Sequence, residues 1–342
     1  MNNATAQKGM TLVELMIALT LGLLVTLIVS QIFLSNKTST NVQDALSRVQ
    51  ENGRWSMQLL SLDARMSGNV GCNKSTVISN IVALPSTGAS WVKYTAPIGG
   101  YSQTSLPPGL TASEVLSGTD VIMFQYADNL STNLAANLSG GADNISISVM
   151  PSRPIQIGDI LVVSDCMSAD VFAATSVSGS GPYVIGHAAG YYNTSSSFAT
   201  GVYRTDADLM RMVTNIYFVA CMSGSNPTAT CSSTSTPYLW RKTLSGNVLV
   251  AQDLVEGVEN MQILYGEDKN GDTVADQYVT AANVTDWTAV VGIRFTLLLR
   301  TIADNLASTA QTYTFNGNTV NATDRRIRRV YTSTINLRNR TY

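Results

Sequence analysis

The chain is poor in charged residues and has a single histidine. Only 13% of its 342 residues are Asp, Glu, Lys or Arg, and the formal net charge is -2. These totals do not indicate a nucleic-acid binder or a strongly acidic partner. The sequence contains no HExxH, no GxSxG and no glycine-rich phosphate loop, and no motif pairs His187 with a nucleophilic Ser or Cys. We therefore predict that the protein is not an enzyme and requires no cofactor.

A long apolar run near the start of the chain is its most informative feature. Residues 8 to 34 read KGMTLVELMIALTLGLLVTLIVSQIFL, and Glu14 is the only charge between Met10 and Leu34. At about 1.5 Å per residue, this stretch reaches roughly 37 Å as a helix, which is enough to cross a bilayer core with tilt. A secretory signal peptide would have a shorter core followed by small residues at a cleavage site. The run therefore predicts a transmembrane helix.

Glu14 makes this helix unusual. A carboxylate inside a spanning helix costs roughly 2.5 to 3.5 kcal/mol, so it needs a partner or a function. Lys8 favours keeping the leader in the cytoplasm, which means that the bulk of the chain is exported. Cleavage between Gly9 and Met10 would create a new α-amine about one helical turn from Glu14. The acid of one subunit could then pair with the amine of its neighbour.

The segment GMTLVELMIAL resembles the class III signal of type IV pilins and pseudopilins. Gly9 matches the last leader position, Met10 the hydrophobic first mature residue, Thr11 the second position and Glu14 the fifth. The resemblance implies that a prepilin peptidase cuts after Gly9 and N-methylates Met10. It also implies that Glu14 and Thr11 act in assembly.

Further blocks resemble PilW, a large minor pilin. They lie at residues 51–72, 161–172, 264–279, 293–301 and 325–340, whereas residues 75–145 and 173–235 match nothing recognisable. The resemblance implies a structural subunit that primes pilus assembly in a tip complex. The implied partners are other minor pilins, the major pilin, a tip adhesin, the prepilin peptidase and the inner-membrane assembly platform. The implied location is the bacterial inner membrane, as a single-pass precursor with a periplasmic head, and then the extracellular pilus tip.

We expect an α+β fold of the type IV pilin kind, with a long N-terminal helix packed on an antiparallel β-sheet head with large loop insertions. Apolar residues and Gly53 at steps of three and four extend the helix to about residue 66, where Gly68 and Gly71 end it. The predicted parts are a leader at 1–9, a transmembrane half at 10–34, an amphipathic half at 35–67 and a head at 68–342. Strands are predicted at 120–126, 145–150, 159–164, 215–220, 238–243, 258–266, 290–300 and 326–337.

Four cysteines in an exported chain favour two disulfides. The sequence allows three pairings. We favour Cys221 with Cys231, because the turn-rich interval MSGSNPTAT would close a small loop that contributes roughly 3 kcal/mol. That choice leaves Cys72 with Cys166. Free thiols or a metal site are the alternative, but the sequence has no CxxC pair.

An acidic run near the end of the chain has the spacing of a calcium loop. Its candidate ligands are Asp268, Asn270, Asp272, the carbonyl of Val274 and Asp276, at positions 1, 3, 5, 7 and 9. An EF-hand has its glycine at position 6, but here the glycine is Gly271, which is not at that position. In addition, Val279 stands where an EF-hand has its bidentate Glu. The alternative is a metal-free turn between strands, which Asp, Asn and Gly also favour.

Arginines cluster at the C-terminus, at positions 325, 326, 328, 329, 338 and 340. Such a cluster could contact DNA or an acidic partner, or it could be the solvated edge of a terminal strand. We favour the edge, because few aromatic residues accompany the cluster and no nucleic-acid module is present.

Two other functions remain open at this point. A pseudopilin of a type II secretion system has the same kind of anchor. A membrane-tethered adhesin or calcium-dependent binding protein could use residues 75–145 and 173–235 as its binding face.

Overall fold

One helix of 55 residues runs through the predicted transmembrane segment and into the head. The computed structural model describes residues 9–71, 77–83, 90–165, 167–199, 201–232, 235–337 and 339. Helix α1 (Leu12–Met66) starts after the N-cap Thr11 and ends at Ser67. Gly68 follows with φ of +81°, a left-handed conformation that suits glycine. The predicted end of the helix near residue 66 is therefore confirmed.

The described residues contain eighteen strands. Their bounds are β1 (Val77–Asn80), β2 (Ile98–Ser102), β3 (Asp120–Asn133), β4 (Ile145–Ile147), β5 (Ile160–Ser164), β6 (Ser168–Ala173), β7 (Ser176–Ser178), β8 (Tyr183–Gly186), β9 (Asp208–Ser223), β10 (Asn226–Thr228), β11 (Pro237–Ser245), β12 (Val248–Glu256), β13 (Val258–Glu267), β14 (Gln277–Val279), β15 (Val290–Arg300), β16 (Thr312–Phe315), β17 (Asn318–Asn321) and β18 (Arg328–Asn336). This composition confirms the predicted α+β class with a long N-terminal helix and a mostly antiparallel head.

The strands form four sheets rather than one. Nine strands make the largest sheet, in the order β1-β6-β5-β9-β11-β12, with β10 also beside β9 and β3 between β9 and β2. The second sheet has the order β14-β13-β15-β18, and two small sheets contain β4-β8-β7 and β16-β17. All pairs in the described chain are antiparallel except β1 with β6. The long strand β9 therefore organises the large sheet, because β3, β5, β10 and β11 all pair with it.

Every predicted strand is present, although β4 covers only half of the prediction at 145–150 and several other strands are longer than expected. The prediction at 290–300 matches β15, while the one at 215–220 covers less than half of β9. The regions 75–145 and 173–235, which resemble nothing recognisable, contain β3 and β9. These regions are therefore part of the central sheet and not merely loop insertions.

The second half of α1 lies in the main core, where both large sheets meet. Val49, Leu60 and Ala64 are buried on the helix and join one cluster with Phe124 from β3 and Phe295 from β15. The predicted stripe on the helix is thus the buried face. Residues on the opposite face stay exposed, as expected for an amphipathic helix.

Gly53 allows the helix to approach the second sheet closely. A Cβ at this position would lie 2.5 Å from Cζ of Tyr331 on β18, which is closer than any normal contact. The Tyr331 hydroxyl donates a hydrogen bond to the carbonyl oxygen of Val49 at 3.2 Å. The ring therefore lies flat across the helix at a point where a side chain is missing, which fixes β18 against α1.

We predict that Gly53→Ala destabilises the protein by about 1 to 3 kcal/mol, because overpacking against Tyr331 outweighs the helix propensity that alanine gains. Denaturant unfolding of the full chain in detergent measures this change. Gln50→Ala, on the exposed face, is the control and should change stability by less than about 0.5 kcal/mol. In a Tyr331→Ala background the same glycine substitution should become stabilising. Stabilisation by Gly53→Ala in the wild-type background would contradict the packing argument.

Candidate functional site

The start of α1 forms a capping box from two residues of the predicted processing signal. The backbone N–H and the hydroxyl of Thr11 donate to Oε2 of Glu14 at 3.1 and 3.0 Å, and the N–H of Glu14 donates to Oγ1 of Thr11 at 3.3 Å. This reciprocal arrangement satisfies donors that a helix start leaves without partners. The Gly9–Met10 bond lies before the cap, in exposed chain outside the helix.

The first half of α1 is apolar on all sides and exposed. One stretch of the helix is long and apolar enough to cross a membrane, and none of that stretch is buried in the protein. Its hydroxyl groups need no outside partner. Thr20 donates to the carbonyl of Ile17 at 2.9 Å, and Ser30 donates to that of Thr26 at 2.8 Å. The segment therefore presents few unsatisfied polar groups to lipid.

Asp63 links the second half of the helix to the large sheet. This carboxylate is 3% exposed, and it accepts hydrogen bonds from the Tyr126 hydroxyl at 3.0 Å, from Asn215 Nδ2 at 2.7 Å and from the Tyr217 hydroxyl at 2.7 Å. Burial raises the pKa of both tyrosines, and the charge of Asp63 raises it further. Both hydroxyls therefore keep the proton that they donate to Asp63.

No local sequence pattern indicates this link. Asp63 stands among Ser, Arg and Leu in the helix, and its partners lie 63 to 154 residues later in the chain. Asp63 on β3 and β9 and Tyr331 over Gly53 are thus two of the contacts that fix the head on the helix. A head held in this way has one orientation relative to the membrane segment.

The predicted disulfide between Cys221 and Cys231 is confirmed. Its Cα atoms are 5.5 Å apart, and the bridge closes the loop that follows β9. Asn226–Thr228 form β10 inside this loop and pair back on the end of β9. The other predicted pair, Cys72 with Cys166, lies outside the described residues and stays a prediction.

The predicted calcium ligands lie in an exposed loop between β13 and β14. They are Asp268, Asn270, Asp272, Val274 and Asp276. The carboxylate of Asp268 accepts from the N–H groups of Gly271 at 2.7 Å and Thr273 at 2.8 Å, while Nδ2 of Asn270 donates to Asp272 at 3.1 Å and to Asp276 at 3.4 Å. No group of three or more His, Cys, Asp or Glu in the described chain is placed to hold a metal ion. The loop is held as a turn by its own side chains, and calcium binding stays a prediction.

Glu267, directly before this loop, is a buried carboxylate that sequence reasoning missed. It is 1% exposed and accepts from Gln277 Nε2 at 2.8 Å, from the Thr285 N–H at 2.6 Å and hydroxyl at 2.9 Å, and from the Asp286 N–H at 3.1 Å. The hydrogen bond from Gln277, together with those from Asp286 and Thr285, lowers the pKa of Glu267 to about 2 against the opposing effect of burial. Glu267 thus holds β14 and residues 285–286 against β13.

Only some of the C-terminal arginines lie on a solvated strand edge. Strand β18 is an edge strand, as predicted, but Arg328 is 6% exposed and forms bidentate pairs with Glu259 and Asp324 at 2.6 to 3.0 Å. The interpretation as solvated charge is therefore wrong for Arg328, because the carboxylates of Asp324, four residues earlier, and of the distant Glu259 surround it. Arg329 is exposed, whereas Arg338 and Arg340 lie outside the described residues.

Comparisons with known families agree with this architecture. The model of the prokaryotic N-terminal methylation motif matches residues 5–30, and that of the type IV pilus-assembly protein W, PilW, matches residues 216–339. The first match covers the capping box, and the second covers the sheet of β13, β15 and β18. No curated protein and no solved structure gives a significant match. The two family matches confirm the resemblance to PilW-like type IV pilins, which are structural components of the pilus.

We predict that Glu267 makes folding stability depend on pH in the acid range. Its folded-state pKa of about 2 lies below the ordinary value of 4.5, so its contribution is complete above about pH 4.5 and is lost as the pH falls towards 2. The difference in unfolding free energy between wild type and Glu267→Gln should therefore shrink over this interval. Glu51→Gln, on the exposed helix face, is the control. A difference that stays constant from pH 5 to pH 2.5 would refute the role of Glu267.

Calcium binding at the loop of residues 268–276 is tested by calorimetric titration of the full chain in detergent. If the spacing reflects a calcium site, millimolar Ca²⁺ releases or absorbs heat and Asp272→Ala abolishes the signal. Asp286→Ala, outside the loop, should retain it. Absence of any heat at millimolar Ca²⁺ would leave the loop as a metal-free turn.

Proposed function

We propose that this PilW-like minor pilin primes assembly of the type IV pilus, as part of an initiation complex with other minor pilins and a tip adhesin. The main support is the continuity of α1. The processing signal leads directly into one uninterrupted helix, which contains both the exposed membrane segment and the half that anchors the head. Such a subunit can join a helix bundle through its first half while its head makes lateral contacts.

Processing by prepilin peptidase would occur between Gly9 and Met10. This bond precedes the N-cap Thr11, and a side chain at Gly9 would meet nothing within 4 Å. The helix therefore does not have to unwind for cleavage. We propose that Met10 becomes the methylated N-terminus, that residues 10–34 remain in the inner membrane, and that the head lies in the periplasm before incorporation into the pilus tip.

Glu14 is proposed to guide the incoming subunit. Its Oε2 atom accepts both bonds from Thr11, while Oε1 accepts none from the described chain. One oxygen can thus maintain the cap while the other receives the α-amine of a neighbouring subunit. Such pairing lowers the cost of two charges in lipid, which each subunit would otherwise bear alone.

The head would contact the remaining partners. The match to PilW over residues 216–339 favours a pilus over a type II secretion filament, which uses the same kind of anchor. The major pilin, the other minor pilins and the assembly platform in the inner membrane are the proposed partners.

The test is Glu14→Ala, expressed as the full chain in pilus-forming cells. Processing should stay intact, so the mass of the N-terminal peptide should show methylated Met10. Recovery of the variant in sheared pili should fall roughly tenfold or more, which corresponds to a loss of about 1.4 kcal/mol in assembly.

Leu15→Ala provides the matched control, because it changes a neighbouring side chain in the same segment without removing a charge. Normal recovery of Glu14→Ala would refute the pairing role. A wild-type chain that still begins at its first methionine, or that is missing from sheared pili, would refute the proposed function itself.

A further inference from the structure

Strand β18 is a long, regular edge that faces solvent. It pairs with β15 over nine consecutive residue pairs without a register shift, and β15 is its only neighbour among the described strands. Val330 is 39% exposed, and Thr332 and Thr334 are also exposed. An open edge of this length is a template for another strand, and proteins normally protect it.

The hydrogen bonds of Gln311 show in which direction the free backbone groups of β18 point. Its side-chain amide donates to the carbonyl oxygen of Arg328 at 3.2 Å and accepts from the N–H of Arg328 at 2.7 Å. Both groups of Arg328 therefore point away from β15. Because the direction alternates along an antiparallel strand, the N–H and C=O groups of Val330, Thr332 and Thr334 also point outwards.

These outward groups have no backbone or side-chain partner within the described chain. The N–H of Leu337 instead donates to Val291 at 2.9 Å, which agrees with inward-pointing groups at odd-numbered positions. Gln311 thus pairs with the outward groups of Arg328, while the outward groups of Val330, Thr332 and Thr334 stay open. They offer three donors and three acceptors to an added strand.

Other edges of the two large sheets are protected. Strands β10 and β14 have three residues each, β1 has four and β2 has five, so none of them offers a long template. Strand β12 has nine residues, but its pairing with β11 contains a bulge, and Asp253 and Glu256 lie along it. Between Val330 and Asn336, by contrast, β18 has no charged residue, no proline and no bulge.

Two arginines flank the open edge on the helix side. Arg329 is exposed on β18, and Arg54 is exposed on α1 where the helix crosses the strand. Arg329 lies two residues from Tyr331 on the same side of β18, and Arg54 follows Gly53, over which the Tyr331 ring lies. Burial raises the pKa of Tyr331, and the charges of both arginines oppose that rise. No carboxylate of the described chain forms an ion pair with either guanidinium. An added strand would place every second side chain beside these charges.

We propose that β18 binds an extended segment of another pilus subunit by strand addition, through the outward backbone groups of Val330, Thr332 and Thr334, and that acidic side chains of that segment meet Arg329 and Arg54. The main-chain hydrogen bonds supply affinity, and the two arginines select charge and register. The inference rests on the proposed function only in assigning the segment to another pilus subunit.

Thr332→Pro tests the backbone contact in the full chain in pilus-forming cells. Proline removes an outward N–H group that β15 does not use, and it blocks an approaching strand. Recovery in sheared pili should fall about tenfold or more, the equivalent of about 1.4 kcal/mol. Thr332→Val is the matched control, because it keeps the backbone donor and should be recovered at the wild-type level.

Charge selection is tested by Arg329→Glu, which should reduce recovery in sheared pili, and by Arg329→Lys, which should largely preserve it.

If Thr332→Pro fails to accumulate in cells, a second experiment takes the place of that variant. A photoreactive phenylalanine is introduced at position 334 of the otherwise wild-type chain. An adduct with a different pilus subunit supports strand addition, with a photoreactive residue at Thr319 as the control.

The outcomes separate the two proposals. If wild-type protein is missing from sheared pili, the proposed function fails. If wild-type protein is present in sheared pili and Thr332→Pro is recovered at the same level, only the strand-addition proposal fails. Absence of an adduct at position 334, or an adduct formed solely with a second copy of this chain, also overturns strand addition.

Discussion

The structure depends on a single helix whose two halves lie in different environments, the membrane and the head. Residues in the first half of α1 are apolar on all sides and exposed, whereas only one face of the second half is buried in the head. A helix can do this because its backbone hydrogen bonds are internal in either environment. The backbone is therefore continuous between membrane and head, and any rotation of one half is transmitted to the other. The contacts that seat the head on the helix consequently decide which surfaces face neighbouring subunits.

Buried charges in the head lie where separate parts of the chain meet. Asp63 joins α1 to the large sheet, Glu267 joins β13 to β14 and to residues 285–286, and Arg328 joins β18 to Glu259 and Asp324. The two acids are held by neutral donors, while Arg328 is held by opposite charges. Removing one partner leaves a buried charge without compensation, which costs more than the intact contact contributes. These contacts therefore act mainly to specify one arrangement of the segments.

Sequence reasoning succeeded where the signal was local. The helix stripe, the strand of residues 290–300 and the nine-residue interval between Cys221 and Cys231 are all patterns within short windows. It missed β12, whose exposed alternating side chains bury little, and short strands such as β7. It also missed Asp63 and Glu267, because an acidic residue has the same local pattern whether its partners are distant donors or water. The burial of Arg328 depends in the same way on Glu259, 69 residues earlier.

Strand β18 connects the helix and the edge of the head in one element. Its odd-numbered residues face the helix and core, with Tyr331 over Gly53 and Ile335 buried, while its even-numbered residues carry the outward backbone groups. Since the two sets alternate along one strand, the direction of the open edge is fixed by the contact of Tyr331 with the helix. Packing of apolar helices in lipid tolerates many partners, whereas strand addition requires a matching register and side chains of suitable charge. In the proposed role of a subunit that begins a filament, both would be needed, because the helix would bring subunits together and the strand edge would determine which of them remain joined.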